Sequence, residues 1–444
     1  MEETVPRFRL GWWWLAIIAL GLVGAATLTL ALWIRTSGDL DAEVARAKRL
    51  GVPTTWEELG LPTAVPEDQR RMTRFQAIAL RAKFDGPKGT IMEPSSPFLP
   101  PGEELLAWHS GVDAELDELI NELAGEPCWS IDPAAVRYAL GRSDARGVMQ
   151  AITPGGWDPR YDAANVLAFR SASGRDDPAH LSGLFLRLAR SQPIAGLSGI
   201  LSSNQIAVKW IKHVLRHRLA LDAAETAHAA SDLADRLDRA MLLAVRVEAV
   251  TAATIFRLPA DDLMRAWNIR LPSAMIHDLP RQIFYRSGRK PIVARYVDAA
   301  DWVAKHGLPG SQIEITAACP APETAEWSNM HRTLLSLTME GSSCSCHSHG
   351  PRQTWLHTSL VGNLRNTLQL RLLAADLVGG PWPQDPQDPA GRSLRTIVRD
   401  GVIIGGYSLG SDGIDNGGDQ KLDWCWALRA QLGSPKASDP VKLP

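Results

Sequence analysis

Leu10 to Ile34 is a run of 25 residues without a single charge, and it constrains this chain more than any other feature. It is built from Leu, Ile, Val, Ala and Trp, with Gly11, Gly21, Gly24 and two threonines interspersed. At about 1.5 Å per residue such a helix is roughly 37 Å long, enough to cross a hydrocarbon core of about 30 Å with some tilt. Trp12, Trp13 and Trp14 at one end and Trp33 at the other stand where amphipathic rings prefer the headgroup level. A core helix rarely runs this far without a polar face, so the segment predicts one transmembrane crossing.

Orientation follows from the layout rather than from charge. Arg7 and Arg9 precede the run, and Arg35, Arg46, Lys48 and Arg49 follow it, so the positive-inside balance does not decide. A short head and a long tail favour a signal anchor, with residues 1–9 cytoplasmic and the bulk outside. Gly24-Ala25-Ala26 and Ala31 supply small residues for cleavage, but the apolar run continues to Ile34 and reads as retained. The expectation is a single-pass inner-membrane protein, held by residues 10–34, with its C-terminal bulk extracytoplasmic.

The remainder has the make-up of a folded protein. Over 444 residues, 47 Lys and Arg face 49 Asp and Glu, for a net charge of −2, and 45% of residues are hydrophobic. Such a balance leaves no general basic attraction to nucleic acid. Residues 35–380 read as one helical domain. Leu181, Leu184, Phe185 and Leu188, then Ala207, Ile211, Val214 and Leu215, then Leu233, Leu237, Met241, Ala244 and Val247 recur at spacings of three and four. Antiparallel helices are the economical solution, because the breaks at Gly196 to Asn204 and at Leu219 to Asp222 are short. Ser143 to Asp177 reads as turn-rich, Phe84 to Gly102 as a proline-rich loop, and Asn329 to Leu337 and Leu356 to Val378 as further helix.

Residues 381–430 differ in kind. Gln384 to Gly391 cannot be helical, and Leu394 to Val398 and Val402 to Leu409 read as two short strands around an Asp400-Gly401 turn. Residues 431–444 read as a flexible end. The predicted fold class is mainly α: an N-terminal transmembrane helix, an antiparallel helical body and a small C-terminal β-hairpin tail.

The tail carries a resemblance, in Asp385-Pro386 or Asp388-Pro389, Gly391, Leu394-Arg395, Tyr407-Ser408-Leu409-Gly410, Asp412-Gly413, Asp415 and Gly417-Gly418. Over about 50 residues it resembles the C-terminal end of the major pseudopilin of type II secretion. It is more closely similar to uncharacterised single-pass membrane proteins of planctomycetes that join a helical region to such a tail. The resemblance implies calcium as a ligand of the loop and an envelope or secretion setting. The N-terminus departs from the pseudopilin pattern: Arg9-Leu10-Gly11 leads into Trp12-Trp13-Trp14-Leu15-Ala16, with no Glu at the fifth mature position, which speaks against prepilin processing.

Three constellations bear chemistry. Asp412, Asp415, Asn416 and Asp419 lie in a glycine-rich loop whose carboxylates and carbonyls suit calcium, although Ile414 breaks the EF-hand pattern. The alternative is a turn whose Asp and Asn side chains bond their own backbone. Cys344, Cys346, His347 and His349 are a zinc-type or Cu(I)-type donor set, but their spacing is unlike a structural zinc site. With Cys128, Cys319 and Cys425 they leave disulfide partnership, metal ligation and a plain polar loop all open. His213 and His217 share a helix face beside Lys212, Arg216 and Arg218 and read as a basic surface, since Val214 stands where a zinc-protease helix needs Glu. No phosphate loop, nucleophile elbow or dinucleotide fingerprint is present. The expected function is a membrane-anchored interaction or structural module. The alternatives are an envelope or secretion-associated component with a calcium-binding tail and envelope protein partners, and a metal-dependent enzyme using the Cys/His loop.

Overall fold

The computed structural model describes residues 12–37, 39–61, 113–122, 133–152, 158, 160–174, 176–191, 196–258, 278–319, 355–410 and 412–429, with isolated positions between 67 and 77. Its helices are α1 (Trp12–Ser37), α2 (Asp39–Arg49), α3 (Asp113–Glu122), α4 (Pro133–Gly141), α5 (Ala145–Ile152), α6 (Arg160–Ser173) and α7 (Pro178–Arg190). They continue as α8 (Leu197–His217), α9 (Ala223–Ile255), α10 (Asp278–His306), α11 (Gln312–Ala318) and α12 (Trp355–Val378).

Local chemistry sets several helix starts. Asp222 accepts from the Glu225 N–H at 2.7 Å and opens the 33-residue α9. Asp177 accepts from the Ala179 and His180 N–H groups, while Pro178 takes a first-turn position that needs no donor. Ser311 accepts from the Glu314 N–H at 3.3 Å, and the Glu314 carboxylate reaches back to the Gly310 N–H at 2.7 Å, a variant of the capping box.

Two apolar cores share α9. Its N-terminal half, including Ala230, Leu233 and Leu237, packs with α3, α6, α7, α8 and the second half of α12. Its C-terminal half, including Met241, Val245 and Val250, packs with α2, α4, α5, α10, α11 and the start of α12. Because α12 meets the two halves of α9 in reverse order, the two helices run antiparallel. Polar groups fix their register: Arg371 bonds Asp238 at 2.7 Å and Asp235 at 3.2 Å, and Asn363 donates to Asp238 at 2.9 Å.

Arg160, fully buried, ties three helices together. Its guanidinium pairs with Asp158 at 2.6 Å. It also donates to the carbonyls of Leu188, Ser191 and Gly199 and to the Ser203 hydroxyl. It thereby satisfies carbonyls at the end of α7 that have no intrahelical donor, and it holds the start of α8 against them.

The tail is a three-stranded antiparallel sheet in the order β1 (Arg395–Arg399), β2 (Val402–Ser408), β3 (Trp424–Ala427). Asp400 (φ 53) and Gly401 (φ 76) make the turn between β1 and β2, both in the left-handed region that such a two-residue turn needs. A bulge after Ile397 shifts the pairing from Gly405 to Ile403. Gly405 is required, because a Cβ there would run into the Trp426 carbonyl of β3. Trp424 and Trp426 carry the sheet onto the core around the N-terminal half of α9.

Three expectations need correction. The single-pass, signal-anchored inner-membrane reading is overturned, because among the described residues no helix is long and apolar enough to cross a membrane. The apolar run does form a helix, α1, over Trp12–Ser37. This helix also packs on α2 and α10 of the body. The turn-rich segment from Ser143 holds two helices, α5 and α6, because the turn residues cluster at their ends while Ala, Val and Leu fill the interior. The tail has a third strand, hidden in the sequence by its four-residue length. The expected loop at 84–102 and helix at 329–337 lie outside the described residues.

Substituting Arg160→Met leaves the Asp158 carboxylate buried without its partner. The expected loss is about 3–5 kcal/mol of unfolding free energy, read as a lower urea midpoint.

Candidate functional site

Polar side chains are densest in the tail, and Arg395 on β1 is their hub. Its three guanidinium nitrogens reach three carboxylates: Nη1 to Asp385 at 3.1 Å, Nη2 to Asp388 at 2.8 Å and Nε to Asp415 at 2.8 Å. Asp385, buried at the Pro-rich turn, also accepts from the Gln387 N–H at 2.9 Å, the Ser408 hydroxyl at 2.6 Å and the Leu409 N–H at 3.0 Å. Asp388 accepts from Arg392 at 2.7 Å and from the Ala390 N–H at 2.8 Å. These bonds, led by that of Arg392, hold its carboxyl down to about 2.

The expected calcium residues divide among separate roles. Burial alone would raise Asp415, but the Gly417 N–H, the Tyr407 hydroxyl at 3.0 Å and Arg395 hold it low. Burial, together with that carboxylate, pushes Tyr407 up to about 12. Asp412 accepts from the Ile414 N–H and from Asn416, and Asn416 also contacts Asp423 at 3.4 Å. Asp419 turns onto the Lys421 N–H at 2.9 Å, and Asp423 accepts from the Gly418 N–H at 2.8 Å. Among the described residues, no three His, Cys, Asp or Glu side chains are placed to hold a metal. Of the four expected ligands only Asp415 meets Arg395, while Asp412 and Asp419 turn onto their own loop, so the four do not converge as a calcium set in this arrangement.

Cys344, Cys346, His347 and His349 lie outside the described residues, as does Cys128. Cys319 and Cys425 are free thiols. Burial pushes Cys319 up to about 12, and burial with Asp423 nearby pushes Cys425 up to about 11, so neither is an activated nucleophile.

His213 is buried, not part of a basic surface, and His217 is only half-buried. The Nε2 of His213 lies 2.9 Å from the Pro178 carbonyl, which can only accept, so that nitrogen carries the proton. Its Nδ1 therefore accepts from the Ser171 hydroxyl at 2.7 Å. His217 packs beside it, with ring centres 4.9 Å apart, and donates to the Ser171 carbonyl at 2.9 Å. The Ser171–His213 pair has the elements of a catalytic dyad, but both side chains are buried and serve to join α6, α7 and α8.

Other ionisable groups of the body were not legible in the sequence. Burial pushes Glu248 up to about 7 against the pull of the Leu197 N–H, which it caps at 2.9 Å. Burial also raises Asp162 to about 7 and lowers Lys209 to about 7, where Lys209 lies over the Tyr161 ring. No protein-family model, curated protein or solved structure matches this chain.

Two outcomes follow. Burial lowers His213 to about 4, below its ordinary 6.5, so the unfolded chain takes up that proton first and its contribution to stability falls as pH drops from about 6.5 toward 4. Urea unfolding of His213→Asn at pH 7, 5.5 and 4.5 is expected to show a shallower decline than the unaltered chain. Asp385→Asn removes the charge shared by Arg395, Ser408 and Leu409. It is expected to cost about 3 kcal/mol and to broaden the β-sheet amide signals in NMR spectra.

Proposed function

We propose that this chain is an interaction module without catalytic chemistry of its own, in which a rigid helical body presents the apolar helix α1 to a partner. The observation that carries the reading is the exposure of Ile17, Ile18, Leu20, Leu22, Val23 and Leu28, with Leu20 at 73% and Leu22 at 67%. A contiguous exposed apolar surface of this kind marks an association site. Fully covering one such side chain contributes about 1.5–3 kcal/mol, so a few of them suffice for a stable contact.

The partner surface is apolar and helical in this reading, and α1 of a second copy of the chain supplies it. Gly21 and Gly24 have open space where a Cβ would stand, which suits close approach of a second backbone. The buried carboxylates, histidine and arginine of the body support a structural role for its polar groups, since each caps a helix or joins two elements. A second reading, a secretion-associated component, draws support from the tail, where α12, the Asp385 turn, the β1–β2 hairpin and the Asp-rich loop follow in the order on which the pseudopilin resemblance rests.

Sedimentation of the full chain beside the triple variant Leu20→Asn, Leu22→Asn, Val23→Asn tests the first reading. The unaltered chain is expected to associate and the variant to sediment as a monomer with the same helical circular dichroism. Identical sedimentation overturns it.

A further inference from the structure

A cavity of about 340 Å³ lies between the end of α2 and the middle of α9, lined by Lys48, Gly51, Val52, Pro53, Glu58 and Arg246. Its size is at the lower end of the range for small-molecule sites, about 300–1,000 Å³. Two cations nearby are paired, Arg46 with Glu43 and Asp298, and Arg137 with Glu57 at 3.1 Å. Lys48 and Arg246, both exposed, have no carboxylate within ion-pair distance among the described residues.

Glu58 is held in place for a defined role. Its Oε2 accepts from the Thr54 N–H at 2.6 Å and the Thr55 N–H at 3.2 Å, and these bonds, the Thr54 one foremost, together with the nearby charge of Lys48, hold it below the usual carboxylate range. It is therefore ionised at neutral pH, and the lining carries two positive charges and one negative. Val52 and Pro53 supply apolar wall, and Gly51 opens on free space, with no atom within 4 Å of where its Cβ would stand.

We propose that this cavity binds a small organic anion that also carries an amine, of the amino-dicarboxylate class. Two carboxylates complement Lys48 and Arg246, an ammonium complements Glu58, and the ligand's net charge of −1 balances the lining. Arg246 suits a carboxylate through paired N–H donors, and the ammonium of Lys48 acts as a point charge. At about 30 Å³ per water-sized group, the space admits about ten non-hydrogen atoms, the size of a dicarboxylic amino acid.

Calorimetry on the full chain tests this with L-glutamate, with glutarate, which lacks the amine, and with L-glutamine, which lacks the second carboxylate. Saturable one-to-one binding of L-glutamate, tighter than that of either comparator, is expected. The double variant Lys48→Gln, Arg246→Gln is expected to weaken it about tenfold with an unchanged melting temperature, because both side chains are exposed. Glu58→Gln is expected to abolish the preference for L-glutamate over glutarate. Absence of heat with L-glutamate at millimolar concentration, or binding unchanged in the double variant, overturns the site. A preference over glutarate that survives Glu58→Gln overturns the role of the amine.

Discussion

The architecture depends on one helix having to bury apolar side chains along its whole length. A 33-residue α-helix is about 50 Å long, too long for one small core to cover. In α9 the first half is covered by α3, α6, α7 and α8, and the second by α2, α4, α5, α10 and α11. α12 accompanies it through both cores, and α8 reaches the second through Leu197 and Ile200. Each of the other packing helices covers only part of α9, and the sheet of the tail closes the end of the first-half core through Trp424 and Trp426.

Charge is used inside this frame to join elements that hydrophobic packing alone leaves free to slide. Arg160 and Arg395 act alike in two different settings. One collects carbonyls of α7 and α8, and the other collects three carboxylates from the turn and the Asp-rich loop. A guanidinium suits both tasks because its donors fan out in a plane and stay charged at any physiological pH. Removing either leaves several acceptors unsatisfied at once, so these residues fix geometry more than they add net stability. The Asp-rich loop thus closes on an arginine of its own sheet instead of gathering its acidic residues around one point.

Much of the helical body was legible. Leu181, Leu184, Phe185 and Leu188 are buried as their spacing implies, and so are Leu233, Leu237, Met241, Ala244 and Val247. The Asp400-Gly401 turn stands where the sequence places it. The site was less legible. Arg395 gives no signal in a strand of alternating exposure, and its partners lie 10, 7 and 20 positions away in the chain. His213 sits among Lys212, Arg216 and Arg218, so its neighbours in sequence suggested a surface, whereas helical rotation turns it toward Ser171 and Pro178.

By itself, then, the sequence determined that the body is mainly helical, which faces of the segments at Leu181 to Leu188 and Leu233 to Val247 are apolar, and that the N-terminal apolar run is a helix. Those are properties of local backbone geometry, readable within a few residues. Only the tertiary structure decided that α9 serves two cores, that Asp415 answers to Arg395 and Tyr407, and that the sheet has a third strand, Trp424 to Ala427. It also decided that Lys48 and Arg246, nearly 200 positions apart, line one cavity. Pairing of distant groups depends on how helices pack, and that is set by the sum of contacts over the whole chain, which no local pattern records.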